Sequence, residues 1–331
     1  MPTSVAPLPA TARSAHAQEA PLPARGTASP RWVGDSSALR SAVDTLRRFA
    51  RSDAAVLVLG ESGTGKELAA AELHARSGRR GGFVALNCGA LSESLAPSQL
   101  FGHARGAFTG AVGQHRGAFA RAHRGTLFLD EIGELPAASQ AMLLRAIETR
   151  RICPVGAETE VEVDARLVCA THRDLAAMVG EGLFRADLYH RLSVLPVRMP
   201  ALRSRPDDID ALLDHFAREH AADVGREIRF TAAAREAARD APWPGNVREL
   251  RNAVHRAAFL SEGAPIEAAQ LLPQPMRHSG ETLAIPRGTY AQMRRVLLET
   301  TIEREGSQRR AAEVLDLPRS TLGNWLRDAT G

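Results

Sequence analysis

Short runs of apolar residues alternate with helical stretches between residues 32 and 200. The apolar runs cover residues 54–59, 83–86, 126–129, 166–170 and 194–197. Strands that are buried on both faces of a parallel sheet read as continuous apolar runs, and helices connect them. The pattern therefore predicts an α/β fold in which helices sandwich a parallel sheet.

The remaining segments differ in composition. Residues 207–262 read as helices only, with apolar positions three and four apart, as in Ile209, Leu212 and Phe216. Proline and glycine then mark a linker, and a small helical unit follows. The start of the chain is rich in proline, alanine, serine and threonine, which is typical of a disordered arm. The predicted domains are an arm at 1–31, an α/β subdomain at 32–200, a helical subdomain at 201–262, a linker at 263–287 and a terminal helical unit at 288–331.

Composition singles out one residue. The 331-residue chain has a single lysine, Lys66, among 42 basic side chains, and a net charge of +4 that is too small to establish a nucleic-acid partner.

The three cysteines lack CxxC spacing, which argues against a disulfide framework or a zinc site and is typical of a reducing cytoplasm. Because no apolar run is long enough for a membrane helix, we expect a cytoplasmic protein without membrane insertion.

The lone lysine lies in a glycine-rich loop between an apolar strand and a helix. The loop consists of Gly60, Glu61, Ser62, Gly63, Thr64, Gly65, Lys66 and Glu67. Such a P-loop cradles phosphates with backbone N–H groups, and its lysine reaches the β- and γ-phosphates. Glu67 replaces the serine or threonine that usually helps to hold Mg²⁺, so other oxygens must hold the ion.

Two acids follow the apolar run at 126–129. Asp130 is positioned to hold a metal ion, and Glu131 to polarise an attacking water, as in the Walker B element of an ATPase. An isolated Asp-Glu pair would favour a solvated turn instead. The P-loop earlier in the chain favours the metal and water roles.

A loop with one aromatic between small residues lies between these elements. It comprises Gly106, Ala107, Phe108, Thr109, Gly110 and Ala111. Its composition suits a mobile tip that presents Phe108 to a partner, or else a plain surface hairpin. The six residues spell GAFTGA, and with them the chain resembles the bacterial enhancer-binding proteins, the AAA+ activators of sigma-54 RNA polymerase. The resemblance runs from about Val33 to Leu260 and resumes in the tail.

The resemblance implies a mechanism. ATP with Mg²⁺ would be hydrolysed at the P-loop, and turnover would move the GAFTGA loop, with Phe108 and Thr109 contacting sigma-54, to remodel the closed promoter complex. Asn87 would restrain Glu131, with an asparagine that caps a turn at the end of its strand as the alternative. Thr171 would act as sensor I beside His172, where asparagine is commoner in the family. Arg185 and Arg191 would be arginine fingers for a neighbouring subunit, which implies a homo-oligomeric ring. We expect a hexamer, with a heptamer left open.

The helical subdomain would then be the AAA+ lid. Arg248 would contact nucleotide as sensor II, on a helix whose sequence suggests an N-cap at Asn246 and a capping glutamate at Glu249. Asp164 and Arg166 also match the family, and we assign them a structural role only.

The tail reads as helices over 290–305, 307–315 and 319–327 with a turn at 316–318. The last two helices suit a helix-turn-helix, and a small dimerisation bundle is the alternative. The tail resembles the Fis-type helix-turn-helix of the same family, which implies enhancer DNA as a partner. The candidate DNA contacts are Arg319, Ser320, Thr321, Asn324 and Arg327.

These features favour an ATP-driven activator of sigma-54 polymerase. With no receiver domain before the ATPase, the chain resembles the short members of the family, and we hypothesise control by expression level or by a separate inhibitory protein. The alternative is a DNA-binding regulator with a vestigial ATPase, although Lys66, Asp130, Glu131 and both fingers are present. A replication-initiator AAA+ protein would have no use for GAFTGA.

Overall fold

The computed structural model describes residues 31–272, 288–315, 317–318, 321–322 and 324–325. The chain divides after Leu272 into two compact units. Among the described residues, no helix has both the length and the apolar character needed to cross a bilayer.

The first unit is built on a five-stranded parallel sheet. Its strands are β1 (Val56–Leu59), β2 (Phe83–Asn87), β3 (Thr126–Asp130), β6 (Arg166–Thr171) and β7 (Leu195–Arg198). They lie in the order β2-β3-β6-β1-β7. A short antiparallel pair, β4 (Arg151–Ile152) and β5 (Val161–Glu162), lies outside this sheet. All five predicted apolar runs are strands of the sheet, so the predicted α/β fold is confirmed.

Helices cover both faces of the sheet. They are α1 (Ser37–Phe49), α2 (Lys66–Arg76), α3 (Ala96–Phe101), α4 (Ala118–Arg121), α5 (Ala137–Thr149), α6 (Leu175–Gly180) and α7 (Ala186–Leu192). Alternate residues of one strand enter different cores: Leu127 and Leu129 belong to one hydrophobic cluster, and Phe128 to another. Burial on both sides explains why the strands are apolar throughout.

A helical subdomain with its own core completes the first unit. Its helices are α8 (Ile209–Val224), α9 (Ala232–Asp240), α10 (Asn246–Leu260) and α11 (Ala268–Leu271). Trp243 is the largest side chain of this core and is 1% exposed, with its indole N–H donating to the carbonyl of Ala238.

Two buried charges fix the position of α1. The guanidinium of Arg166 on β6 donates to the carbonyls of Ala50 (2.6 Å) and Phe49 (2.7 Å), which lie at the C-terminal end of this helix. Asp208 accepts from the backbone N–H groups of Asp35 (2.7 Å) and Ser36 (2.8 Å), just before the helix begins. Because unpaired helix ends cost free energy when buried, both residues have the structural role of a cap or an anchor.

The second unit contains α12 (Tyr290–Glu305) and α13 (Gln308–Val314), as the tail sequence predicts. Leu298, Ala311, Ala312 and Leu322 form its small core.

Candidate functional site

A cavity of about 640 Å³ lies between the carboxyl edge of the sheet and the helical subdomain. One end is polar, with the glycine loop, Asn87, Asp130 and Glu131. The rest of the lining combines the apolar Trp32, Val33, Leu212 and Phe216 with charged or polar side chains that include Arg205, His215 and Arg251. The lining suits a molecule that carries anionic groups together with a flat apolar group.

The glycine loop brings Lys66 to the polar end. Gly63 and Gly65 have φ values of +78° and +100°, which L-residues with a side chain rarely adopt, and Lys66 is the first residue of α2. The lysine ammonium donates to the carbonyls of Gly60 (3.0 Å) and Glu61 (3.3 Å) and lies 3.5 Å from a carboxylate oxygen of Glu131. The loop therefore offers backbone N–H groups at a helix N-terminus beside a fixed cation, which is an anion site.

The two acids have opposite electrostatic settings. Burial and the neighbouring charge of Glu131 raise the pKa of Asp130 above its usual range. Burial would also raise the pKa of Glu131, but the hydrogen bond from His172 and the charge of Lys66 outweigh it and leave that pKa below its ordinary value. Glu131 is thus ionised at neutral pH, and Asp130 is suited to a cation that would favour its ionised form.

His172 holds Glu131, a role that the sequence assigns to Asn87. The backbone N–H of His172 donates to the Glu131 carboxylate at 3.3 Å, and its Nδ1 lies 2.7 Å from the same oxygen. Asn87 pairs with Asp130 in the sheet and lines the cavity, but its side-chain oxygen accepts from the N–H of Gly89 at 2.8 Å. Here Asn87 caps a turn, because the N–H of Gly89 lies within its reach two residues on.

Thr171 lies at the end of β6 and is fully buried. Its hydroxyl accepts from the backbone N–H of Arg173 at 3.0 Å. It is not one of the residues that line the cavity. The structure therefore brings the predicted sensor I segment to the site through His172.

The helical subdomain contacts the glycine loop directly. Asn246 is fully buried, and its amide donates to Glu61 (3.1 Å) and to the carbonyl of Ser62 (3.0 Å). The predicted N-cap at Asn246 is wrong: Gly245 is the N-cap, and Asn246 is the first residue of α10. Asn246 itself has a left-handed φ of +52°, and its side chain reaches across to the loop. Arg248 donates to the hydroxyl of Ser62 at 2.9 Å and lines the cavity.

The carboxylate of Glu61 accepts hydrogen bonds from both Arg203 and Asn246. Arg203 donates to its carboxylate at 2.7 Å, and this bond, with the one from Asn246, lowers the pKa of Glu61 to about 2. The loop residue Glu61 therefore remains ionised over the whole physiological range.

The GAFTGA loop closes on itself. The N–H of Gly106 donates to the carbonyl of Ala111 at 2.9 Å, and the N–H of Ala111 donates to that of Phe108 at 3.0 Å. Phe108 is 41% exposed, and its ring meets the ring of His103 edge-on at 4.9 Å between centroids. Thr109 is exposed at the tip.

The sequence comparisons agree with this geometry. The model of the sigma-54 interaction domain matches residues 32–198, and that of the AAA+ ATPase lid domain matches residues 203–284. The chain is 43% identical over 318 residues to the transcriptional regulatory protein ZraR of Salmonella typhimurium, covering 93% of this chain and 71% of ZraR. It belongs to the sigma-54-dependent transcriptional activators.

Other relatives of these activators are similar over comparable lengths. The regulatory protein AtoC of Escherichia coli is 41% identical over 306 residues, covering 89% of this chain and 66% of AtoC. The crystal structure of NtrX from Brucella abortus in complex with ATP superposes with a TM-score of 0.69 at 32% identity, covering 91% of this chain and 69% of that chain. The AAA+ fold predicted from the resemblance is thus shown.

The two arginines predicted to act as fingers lie on the surface around α7. Arg185 pairs with Asp187 at 2.7 Å, and Arg191 pairs with Glu148 at 3.4 Å. Neither arginine lines the cavity of its own chain.

The predicted DNA contacts are only partly described. Arg319, Ser320 and Arg327 lie outside the described residues, whereas Thr321 and Asn324 are helical, half-buried and exposed respectively. In the same unit, the Arg294 guanidinium lies 4.9 Å from the ring centroid of Trp325.

Four features of the site have no signal in the local sequence. They are the carboxylate clamp by His172, the loop contact of Asn246, the Arg203–Glu61 pair and the apolar wall at Trp32 and Phe216. All four join segments that are distant in sequence, so no local spacing marks them. His172 is the one residue among them that the sequence singles out, because asparagine is commoner at this position in the family.

Proposed function

We propose that the chain is an ATPase that uses ATP turnover to remodel the closed complex of sigma-54 RNA polymerase, and that it binds enhancer DNA through its tail. The observation that carries the proposal is the convergence of Lys66, Asp130 and Glu131 at the polar end of one cavity. Membership of the sigma-54-dependent activators supports the partner.

The residues present fit ATP and Mg²⁺. Gly63 and Gly65 adopt the left-handed backbone conformation of the loop at the start of α2, and Lys66 and Arg248 supply positive charge to the cavity. Asp130 and Glu131 are the carboxylates that would hold the ion, since Glu67 cannot offer the usual hydroxyl. When bound, Mg²⁺ would neutralise charge that develops on the phosphates.

Glu131 is the residue that we assign to the attacking water. Its ionised carboxylate can accept a hydrogen bond from water and so orient it toward the γ-phosphate. His172 and Lys66 hold that carboxylate in place, and Asn87 lies at the end of the neighbouring strand, opposite Asp130. A shift of His172 would therefore transmit the state of the nucleotide, and we assign Asn87 a supporting part in this coupling.

The remaining roles follow the family pattern. The exposed tip formed by Phe108 and Thr109 would contact sigma-54. Arg185 and Arg191 are exposed and would exchange their acidic partners for the γ-phosphate in a neighbouring subunit of a ring, which we propose is a hexamer. Thr171 would support the sensor I segment, and residues 319–327 would contact DNA.

The proposal is tested by separating hydrolysis from remodelling. ATP hydrolysis is measured against protein concentration for the wild type, Glu131→Gln and Thr109→Ala, and open-complex formation is measured on a sigma-54 promoter. We expect wild-type turnover per chain to rise with concentration as rings assemble. Glu131→Gln should lower turnover by about 100-fold or more, because a general base contributes at least about that factor to the rate. Nucleotide binding should persist in this variant.

Thr109→Ala should hydrolyse ATP normally yet fail to open the promoter. Absence of hydrolysis by the wild type at every concentration, with DNA binding retained, would instead support a regulator with a vestigial ATPase.

A further inference from the structure

Two histidines and an aspartate meet on the helical subdomain, away from the nucleotide cavity. His220 and Asp223 are one turn apart near the end of α8, and His255 is on α10, which packs against α8. Among the described residues, these three are the one group of histidine, cysteine and acidic side chains whose ligand atoms lie within 4.8 Å of one another.

The spacing of the three side chains matches that of metal ligands. Nδ1 of His220 lies 3.0 Å from a carboxylate oxygen of Asp223, and Nε2 of His255 lies 3.7 Å from the same oxygen. The centroids of the two imidazoles are 4.4 Å apart. Zn²⁺ bonds of about 2.0–2.1 Å in a tetrahedral arrangement place neighbouring donors about 3.3 Å apart. Small rotations of Asp223 and His255 would bring all three donors to that distance.

Burial indicates that the cluster is more than a surface ion pair. The His220 side chain is only 8% exposed, and its Nε2 is buried without a hydrogen-bond partner in the described part of the chain. Asp223 and His255 are 53% and 45% exposed, which leaves a path for an ion to enter. A site with one buried and two accessible ligands on rigid helices is well organised for metal capture.

Electrostatics favour a cation as the shared partner. Each imidazole can present one ring-nitrogen lone pair to a shared ion, and the Asp223 carboxylate adds negative charge beside them. Two imidazole nitrogens and one carboxylate are ligands that suit Zn²⁺, with water completing a fourth position.

We propose that His220, Asp223 and His255 bind one divalent transition-metal ion, with Zn²⁺ as the best match, and that the ion clamps α8 to α10. The spacing of the three cysteines argues against a zinc site built from cysteine ligands. The proposed site is compatible with that expectation, because its ligands are histidine and aspartate side chains. Since both helices also line the nucleotide cavity through Phe216 and Arg251, the clamp would stiffen one wall of that cavity. The metal site does not depend on the proposed ATPase function.

The test uses the full chain without a purification tag, stripped of metal with a chelator. Co²⁺ is titrated as a coloured stand-in for Zn²⁺, and the melting temperature is recorded with and without Zn²⁺. We expect one equivalent of Co²⁺ to give visible absorption that Zn²⁺ abolishes, together with a higher melting temperature in Zn²⁺. Asp223→Asn and His255→Gln should each weaken Co²⁺ binding by about 100-fold or more, because even changes outside the ligand set cost 10–100-fold.

A control variant locates the signal. His190→Gln removes an exposed imidazole on α7 that lies outside the proposed site, so it should bind Co²⁺ like the wild type. Both test positions are about half exposed, and urea unfolding without metal will show that their variants fold. The proposal would be overturned if Asp223→Asn and His255→Gln bound Co²⁺ as well as the wild type does. It would also be overturned if the folded wild type bound no Co²⁺.

Discussion

At the scale of single residues, His172 sets the state of the proposed catalytic carboxylate. Its imidazole lies 2.7 Å from Glu131 and helps to hold the pKa of that acid below its ordinary value. A carboxylate with a lowered pKa stays ionised above that pKa and gains its proton as the pH falls through it. The acid side of the pH profile of ATP turnover should therefore depend on His172.

Replacing this imidazole should move the profile. We expect His172→Ala to raise the pKa of Glu131, shift the acid limb of turnover to higher pH and lower turnover near pH 6 by roughly ten-fold through misplacement of the carboxylate. Measuring kcat from pH 3.5 to 8, which includes the acid limb of the wild type, checks this. His172→Asn, which restores a side-chain donor, should lie closer to the wild type, and an acid limb at the same pH in all three proteins would contradict the role.

Arg166 makes a prediction about stability. It is 1% exposed and donates to two carbonyls at the end of α1. Arg166→Met keeps the approximate length of the side chain but leaves both carbonyls without a hydrogen-bond donor. We therefore expect the free energy of unfolding to fall by about 3 kcal/mol. Urea unfolding measures it, and Arg80→Met, at an exposed position, should change stability by less than about 0.5 kcal/mol. Equal losses in the two variants would rule out the capping role.

At the scale of elements, the glycine loop and α10 are in direct contact. The N–H of Val247 donates to the carbonyl of Gly63 at 3.1 Å, and a Cβ at Gly63 would lie 2.2 Å from the carbonyl oxygen of Gly245. No side chain can enter this gap without moving the loop away from the helix.

Gly63→Ala should therefore weaken nucleotide binding. We expect the dissociation constant to rise by about ten-fold or more, which corresponds to a loss of about 1.4 kcal/mol of binding free energy. Gly78→Ala is a matched control, because Gly78 also has a positive φ, of +72°, but has open space around its Cβ position. Calorimetric titration with a non-hydrolysable ATP analogue compares them. The packing argument fails if both variants bind alike.

The elements also show what the sequence can predict. The strands were predictable because burial on both faces requires continuous apolar runs, as in Leu127, Phe128 and Leu129. Side-chain contacts between distant segments were not. Asp208 looks like half of an exposed acidic pair, yet it is fully buried and anchors a segment 172 residues away. Asn246 resembles an N-cap, yet its partner Ser62 is 184 residues away. Local spacing carries no information about such partners.

At the scale of the whole molecule, the proposed fingers should act between subunits. Arg185 and Arg191 are exposed and do not line their own cavity. We expect Arg185→Ala and Lys66→Ala each to lose ATP turnover as pure proteins. Mixing them should restore a part of it, because some interfaces in a mixed ring combine an intact cavity with an intact finger. Activity that stays absent at every mixing ratio would count against action in trans.

The rarity of lysine in this chain gives the cavity a chemical handle. Lys66 lies in the wall of the cavity, and it is the one lysine in the sequence. A reagent directed at primary amines, such as an aldehyde that bears a phosphate and is fixed by borohydride reduction, has no other side chain to form a Schiff base with. Peptide mapping should find the adduct at residue 66, and ATP should protect against it. Covalent labelling would then report occupancy of the cavity in the unmutated protein, subunit by subunit.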